Sequence, residues 1–272
     1  SAPTDGGYTV DFRCEDLRHR IAPGREPHLR IHALTPCDEV ALASGQPPQN
    51  KSGNPVSLRY LVQSRLGAGL QSQFANVLEP YDRTPLIRRV RRLSPRHTAD
   101  PDSVAAVAVD LADGQTDILI ACEQPTEVHL EGGIEMDGTF GFVRLQDGKP
   151  RVLRLIAGTR LAVGEVSMTC DRAAYTGTVK SVDVGDPASN RVVLDPPLPA
   201  GHGLEGRAIH FLGSQPQDTS FWVRGIVGDA VSTGTTSLTL GFKDEKDFSA
   251  GYTYLVNPGD AYSLPCVTEM DL

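Results

Sequence analysis

No stretch of this 272-residue chain is apolar for long enough to cross a membrane as a helix, and the N-terminus lacks the basic-then-apolar pattern of an export signal. The opening Ser1-Ala2 reads as a processing or cloning scar, compatible with an export signal removed upstream, and a secreted or periplasmic location is expected. Excess positive charge is missing too. A formal net charge of −8 opposes general attraction to nucleic acid and leaves only a local patch to hold an acidic chain. Neither a nucleic-acid nor a membrane partner is expected. The cysteines Cys14, Cys37, Cys122, Cys170 and Cys266 lie far apart with no C-x-x-C pair, which argues against zinc clusters and thioredoxin-like chemistry. Their odd number leaves at least one free thiol unless two chains are joined, and they read as buried, reduced, small hydrophobes. There is no G-x-S-x-G elbow, no glycine-rich phosphate loop before a helix, and no cysteine with an identifiable histidine partner. No catalytic residue, metal site or cofactor is therefore expected.

What is present is sheet-forming sequence. Glycine (27) and proline (20) are frequent while 39% of residues are apolar, the balance of a globular chain with many turns. Apolar residues recur with a period close to two almost throughout. Val104–Leu111 alternates into Asp113-Gly114 and is followed by Ile118–Cys122, a strong hairpin pattern because glycine accepts positive φ. Val143–Leu145, Asp147-Gly148 and Val152–Ile156 repeat it. From Gly177 to Leu240 the strands shorten and are closely punctuated: Thr178–Val184, Arg191–Leu194, Ala208–Leu212, Phe221–Ile226 and Ser237–Leu240. The expected fold is all-β: an antiparallel β-sandwich over residues 1–165, a smaller inserted or appended barrel-like subdomain over 166–250, and strands closing the main body over 251–272. Ala43–Pro55 reads as a polar loop.

The densest pattern is Phe74-Ala75-Asn76-Val77-Leu78-Glu79-Pro80-Tyr81 followed by Pro85–Leu93. It reads as two strands joined by a proline-bounded turn, with Phe74, Val77 and Leu78 supplying apolar surface. Pro80 cannot donate to a ladder, so pairing stops or reaches an edge there. Glu79 is expected to accept hydrogen bonds that pin the turn, and Tyr81 to cover the core with its hydroxyl outward. The segment resembles the F-x-x-V-L-E-P-Y…P-x-I stretch of heparinase II/III-like polysaccharide lyases. Tyr8–Phe12, Leu29–His32, Leu58–Leu61 and Asn257–Pro265 are similar to further strands of that family's C-terminal β-sandwich. The resemblance implies a module that supports an N-terminal α/α toroid, missing here, in β-elimination of a uronic-acid-containing polysaccharide. The family's histidine motif is absent, since no H-x-H-x-D occurs. A proton-transferring tyrosine would belong to the toroid, not to Tyr81. The alternative is a stand-alone carbohydrate-binding sandwich. A third possibility, a β-fold lyase working alone, would need tyrosine, histidine and arginine gathered in one groove.

Several groups could bind ligand. Arg88, Arg89, Arg91, Arg92, Arg96 and His97 are rich in guanidinium, which grips carboxylate bidentately. Strand alternation would send Arg89 and Arg91 one way and Arg88 and Arg92 the other, with edge protection as the plain alternative. Arg89 and Arg91 are taken as candidate substrate contacts. Trp222 joins them because an aromatic face can stack on a sugar, although one of Phe221 and Trp222 should face the core. His28, Arg30 and His32 alternate on one strand face, where solvated polar residues explain them without a ligand. Asp110, Asp113 and Asp117 resemble a calcium loop only loosely, and hairpin chemistry accounts for Asp113-Gly114.

Overall fold

The computed structural model describes residues 2–4, 7–16, 19–46, 55–96, 103–183, 190–199, 203–213, 219–233, 239–244 and 246–272. Among these the secondary structure is β apart from 3-10 helix at Ser103 and at Phe248–Ala250. The chain divides into two compact units, residues 1–155, 160–168 and 269–272 in one, and residues 156–159 and 169–268 in the other.

The first unit opens with β1 (Ala2–Thr4), β2 (Tyr8–Arg13), β3 (Pro27–Ala33), β4 (Cys37–Gly45), β5 (Leu58–Ser64) and β6 (Asn76–Asp82), arranged as two antiparallel three-stranded sheets, β1-β4-β5 and β2-β3-β6. Strand β4 extends to Gly45, into the segment read as loop. Pro80 lies within β6, an edge strand, where its missing N–H costs no ladder bond. Next come β7 (Ile87–Leu93), β8 (Val104–Leu111), β9 (Gln115–Leu130), β10 (Ile134–Gln146), β11 (Lys149–Val163) and β12 (Val166–Thr169), hydrogen-bonded in the order β12-β11-β10-β9-β8-β7. The β8–β9 and β10–β11 hairpins turn at Gly114 (φ 85°) and at Asp147 and Gly148 (φ 52° and 76°), the positive-φ positions that Asp-Gly supplies. Strand β9 passes through Pro125, where Ala121 and Thr126 flank a register break opposite Phe140 and Gly138. There the sheet folds over itself. Ile118, Ile120 and Cys122 from one half of β9 therefore share a core with Val128 and Leu130 from the other, along with Leu153, Leu155 and Leu161.

The opposite face of β8 belongs to the sandwich. Val107 and Val109 pack with Ala75, Val77, Leu34, Ile87 and Val90, so β6 and β7 lie in different layers joined by the turn between them. Alternation along β6 decides which residues face this core. Val77, Glu79 and Tyr81 turn inward, whereas Leu78 is 59% exposed; Phe74, just before the strand, is 40% exposed. Phe74 and Leu78 thus do not supply the buried surface expected of them; the inward apolar residues are Ala75 and Val77.

The second unit is a closed barrel built from β13 (Ala174–Asp183), β14 (Asn190–Asp195), β15 (Ala208–Leu212), β16 (Thr219–Val227) and β17 (Ala230–Thr233), with β18 (Thr239–Phe242) and β19 (Tyr252–Tyr254) forming a separate hairpin. Strand β20 (Ala261–Pro265) closes it in the order β13-β14-β17-β16-β15-β20, pairing with both β13 and β15. Strand β21 (Val267–Asp271) then pairs with β11. Asn257–Pro265 is accordingly a barrel segment, and the second unit runs on to 268, past the division expected at 250, because the register of β20 against β13 holds it there. The barrel interior is filled by Leu194, Ile209, Phe211, Phe221, Val231 and Leu264.

Candidate functional site

The β2-β3-β6 sheet places Asp11, Arg30 and Glu79 in consecutive cross-strand register, with His28 opposite Tyr81 and His32 opposite Val77. Antiparallel pairs on one face lie within side-chain reach, so the polar residues of three strands meet. Arg30 donates from Nε and Nη2 to Asp11 Oδ2 at 2.9 and 2.8 Å, and the Tyr81 hydroxyl donates to the same oxygen at 2.6 Å. His28 Nδ1 lies 3.0 Å from Asp11 Oδ1, and its ring stacks on Tyr81 with centroids 4.9 Å apart. The Arg30 guanidinium also sits 4.9 Å from the Tyr81 ring centre.

Glu79 is the buried end of this network, with only 3% of its surface exposed. Its Oε1 accepts the backbone N–H groups of Leu86 and Ile87, both at 2.7 Å, while Oε2 lies 3.1 Å from His32 Nε2 and 3.8 Å from Arg30 Nη1. The carboxylate thus ties the end of the turn at Leu86 and the start of β7 to β6. Burial opposes its ionisation, but the Ile87 N–H, His32, the Leu86 N–H and Arg30 outweigh burial and hold its carboxyl below the usual range.

Burial likewise opposes ionisation of Asp11, and hydrogen bonds from Tyr81, Arg30 and His28 overcome it, lowering its carboxyl to about 2. A carboxyl lowered on folding adds stability that is complete above the unfolded value of 3.8 and is lost as pH falls toward about 2. The group is partly open to water, so its screened contribution is about 1 kcal/mol. Urea melts of Asp11→Asn and the unaltered chain should therefore differ by that amount at pH 7 and converge below pH 3. A difference that stays constant down to pH 2.5 would refute the role given to Asp11.

The hydroxyl of Tyr81 points to Asp11 and not outward, and that hydrogen bond is the largest influence raising its pKa. A tyrosine so held is a poor proton acceptor. Tyrosine, histidine and arginine are gathered on one sheet face here, but the arrangement consumes their polar atoms in mutual contacts.

Beside this network runs a groove of about 600 Å³, bordered by Thr9, Arg30 and His32 on one side and by Arg88, Arg89 and Arg92 on the other. Simple alternation would have separated Arg88 from Arg89. A bulge intervenes: Ile87 pairs with Leu111 and Arg89 with Asp110, so two steps along β7 match one along β8. Arg88 and Arg89 are exposed and, among the described residues, make no side-chain hydrogen bond or ion pair. Arg92 donates to Gln73 Oε1 at 2.7 Å and also borders a second cleft of about 660 Å³ with Arg65, Ser103 and Glu123. Arg91 is not at the groove; it is held 3.6 Å from Asp110 and 3.4 Å from Glu131. Arg96 forms an isolated bridge with His129, and His97 lies outside the described residues.

Trp222 belongs to the barrel unit, where it is 65% exposed while Phe221 is buried at 6%. The aspartates of the β8–β9 hairpin are engaged locally. Asp113 accepts the Gln115 N–H, Asp110 accepts from Thr116, and Asp117 receives Arg144 bidentately at 2.7 Å. Among the described residues, no group of three or more histidine, cysteine, aspartate or glutamate side chains is placed to hold a metal ion. Asp11 was not singled out in the sequence, whereas Arg30 and Arg92 were named in wider polar groups without being taken as substrate contacts. The alternation of His28, Arg30 and His32 marked the shared face, but its acidic partners depend on pairing between distant segments. No family model, curated protein or solved structure matches this chain.

Proposed function

We propose that this chain is a non-catalytic β module of a heparinase II/III-like polysaccharide lyase and that it holds a uronic-acid-containing polysaccharide along the arginine-lined groove. The observation carrying this proposal is the gathering of Arg30, His32, Arg88, Arg89 and Arg92 around one groove in a protein of net charge −8. Arg30 is neutralised by Asp11 and Glu79, which leaves Arg88 and Arg89 to face an incoming carboxylate or sulfate. Glu79 bears on the same surface, since its hold on Ile87 fixes the start of the strand that carries both arginines. By the resemblance, removal of the proton α to the uronate carboxylate and expulsion of the 4-linked sugar would fall to a toroid domain, which is the proposed partner. The raised pKa of Tyr81 supports giving it a positioning role in place of proton abstraction.

Affinity electrophoresis in gels containing heparin or alginate tests this. The unaltered chain should be retarded, and Arg88→Ala/Arg89→Ala should weaken retardation at least tenfold, because a charged hydrogen bond contributes about 1.5–3 kcal/mol. The purified chain should release no unsaturated uronate, followed by ultraviolet absorbance. Unchanged binding by the double variant would overturn the groove assignment, and turnover would overturn the non-catalytic one. A second reading, a stand-alone carbohydrate-binding protein, is favoured by the exposed Trp222 on β16. It requires Trp222→Ala, not the arginine pair, to abolish binding.

A further inference from the structure

Two cysteines distant in sequence converge at the base of the barrel. Cys170 follows β12, and Cys266 separates β20 from β21. Both are tied to the same stretch of β11: the Cys170 N–H donates to the Thr159 carbonyl at 2.8 Å, and the Ala157 N–H donates to the Cys266 carbonyl at 2.9 Å. Ala157 takes a positive φ of 49°, a local irregularity between β12 and β21 along that edge. The Cys266 N–H in turn donates to the Ala173 carbonyl at 2.8 Å, which brings the chain just beyond Cys170 alongside Cys266. The two thiols line one cavity of about 650 Å³ together with Arg172, Tyr175 and Tyr262, and the Cys170 thiol donates to the Arg172 carbonyl at 3.1 Å. Both are free thiols.

We propose that Cys170 and Cys266 are a redox modification site, a thiol pair that closes into a disulfide clasping the two ends of the barrel segment. The two sulfurs are not equivalent. Hydrogen bonding led by Thr268 holds the Cys170 thiol below its usual range, whereas burial, with the neighbouring Cys170, pushes Cys266 up. Cys170 is also the more accessible of the two. The Cys170 thiolate attacks a small-molecule disulfide, forming a mixed disulfide and releasing one thiolate. Cys266 gives up its proton and attacks the Cys170 sulfur, which expels the second thiolate. The protein loses two electrons, the reagent gains them, and the two released thiolates are protonated to thiols. The cross-link closes a loop of roughly a hundred residues, a length at which loss of unfolded-state freedom is large.

Incubation of the whole chain with oxidised glutathione, followed by non-reducing peptide mapping and thiol titration, tests the pair. A single linked peptide containing Cys170 and Cys266 is expected, with two of the five thiols lost. The oxidised chain should melt on the order of 10 °C higher than the reduced one. Cys170→Ser, a change at a partly exposed position, should abolish both the linked peptide and the shift, while Cys14→Ser at an exposed position should leave both intact. Five reactive thiols after oxidation, a linked peptide joining any other pair, or a melting shift that persists in Cys170→Ser would each overturn the proposal.

Discussion

Glu79→Ala is expected to lower the stability of the unit that carries it by about 3 kcal/mol, seen as a fall of about 10 °C in its melting temperature. The substitution removes three kinds of support at once. The N–H groups of Leu86 and Ile87 lose their acceptor at the start of β7. Arg30 and His32 lose a buried partner. A side chain with 3% exposure is also replaced by a smaller one, leaving space in the wall. Glu79→Gln separates these effects, because its amide oxygen can still accept from Leu86 and Ile87 while the charge facing Arg30 is gone. Its loss should be intermediate. A melting temperature unchanged in Glu79→Ala would mean the buried carboxylate does not hold the turn.

Gly177→Ala is expected to cost about 3 kcal/mol in the barrel, although it adds only a methyl group. Gly177 lies opposite Tyr262 where β20 closes against β13. A Cβ there would come within 2.3 Å of the Asp195 carbonyl oxygen, 2.7 Å of Pro196 Cδ and 2.8 Å of Tyr262 Cε1. The nearest obstacle is backbone, which cannot rotate out of the way. Gly141→Ala provides the contrast, because its closest obstacle is Met136 Sδ at 2.7 Å, part of a flexible side chain. Thermal melts should show Gly177→Ala falling well below Gly141→Ala. Equal losses would show that backbone clearance does not limit closure of the barrel.

Local chemistry explains which parts of this fold were legible. Val104–Leu111 and the two Asp-Gly hairpins were evident because alternation and positive φ are decided by neighbours in sequence. Strand β17 went unread: four residues, Ala230–Thr233, become a strand through pairing with β14 and β16, which no local pattern announces. The alternation of Tyr262–Leu264 was clear, yet which sheet it joined depended on the register opposite Gly177. Strand β9 runs on through Pro125 at its bend, well past the Ile118–Cys122 run that marked it in the sequence. The candidate site shows the same division. Glu79 and Tyr81 stood out from their motif, whereas Asp11 becomes visible only once β2 is paired with β3. Arg91 looked equivalent to Arg89, but Asp110 and Glu131 claim it, and the bulge brings Arg88 to the groove in its place.

The most direct test of acidic-polysaccharide binding is a nuclear magnetic resonance titration of the isotope-labelled chain with a uronic-acid oligosaccharide. Shifts are expected to concentrate at Thr9, Arg30, His32, Arg88, Arg89 and Arg92 and to weaken as salt is raised. Shifts confined to the surroundings of Trp222, or no saturable shift at all, would contradict binding at the groove.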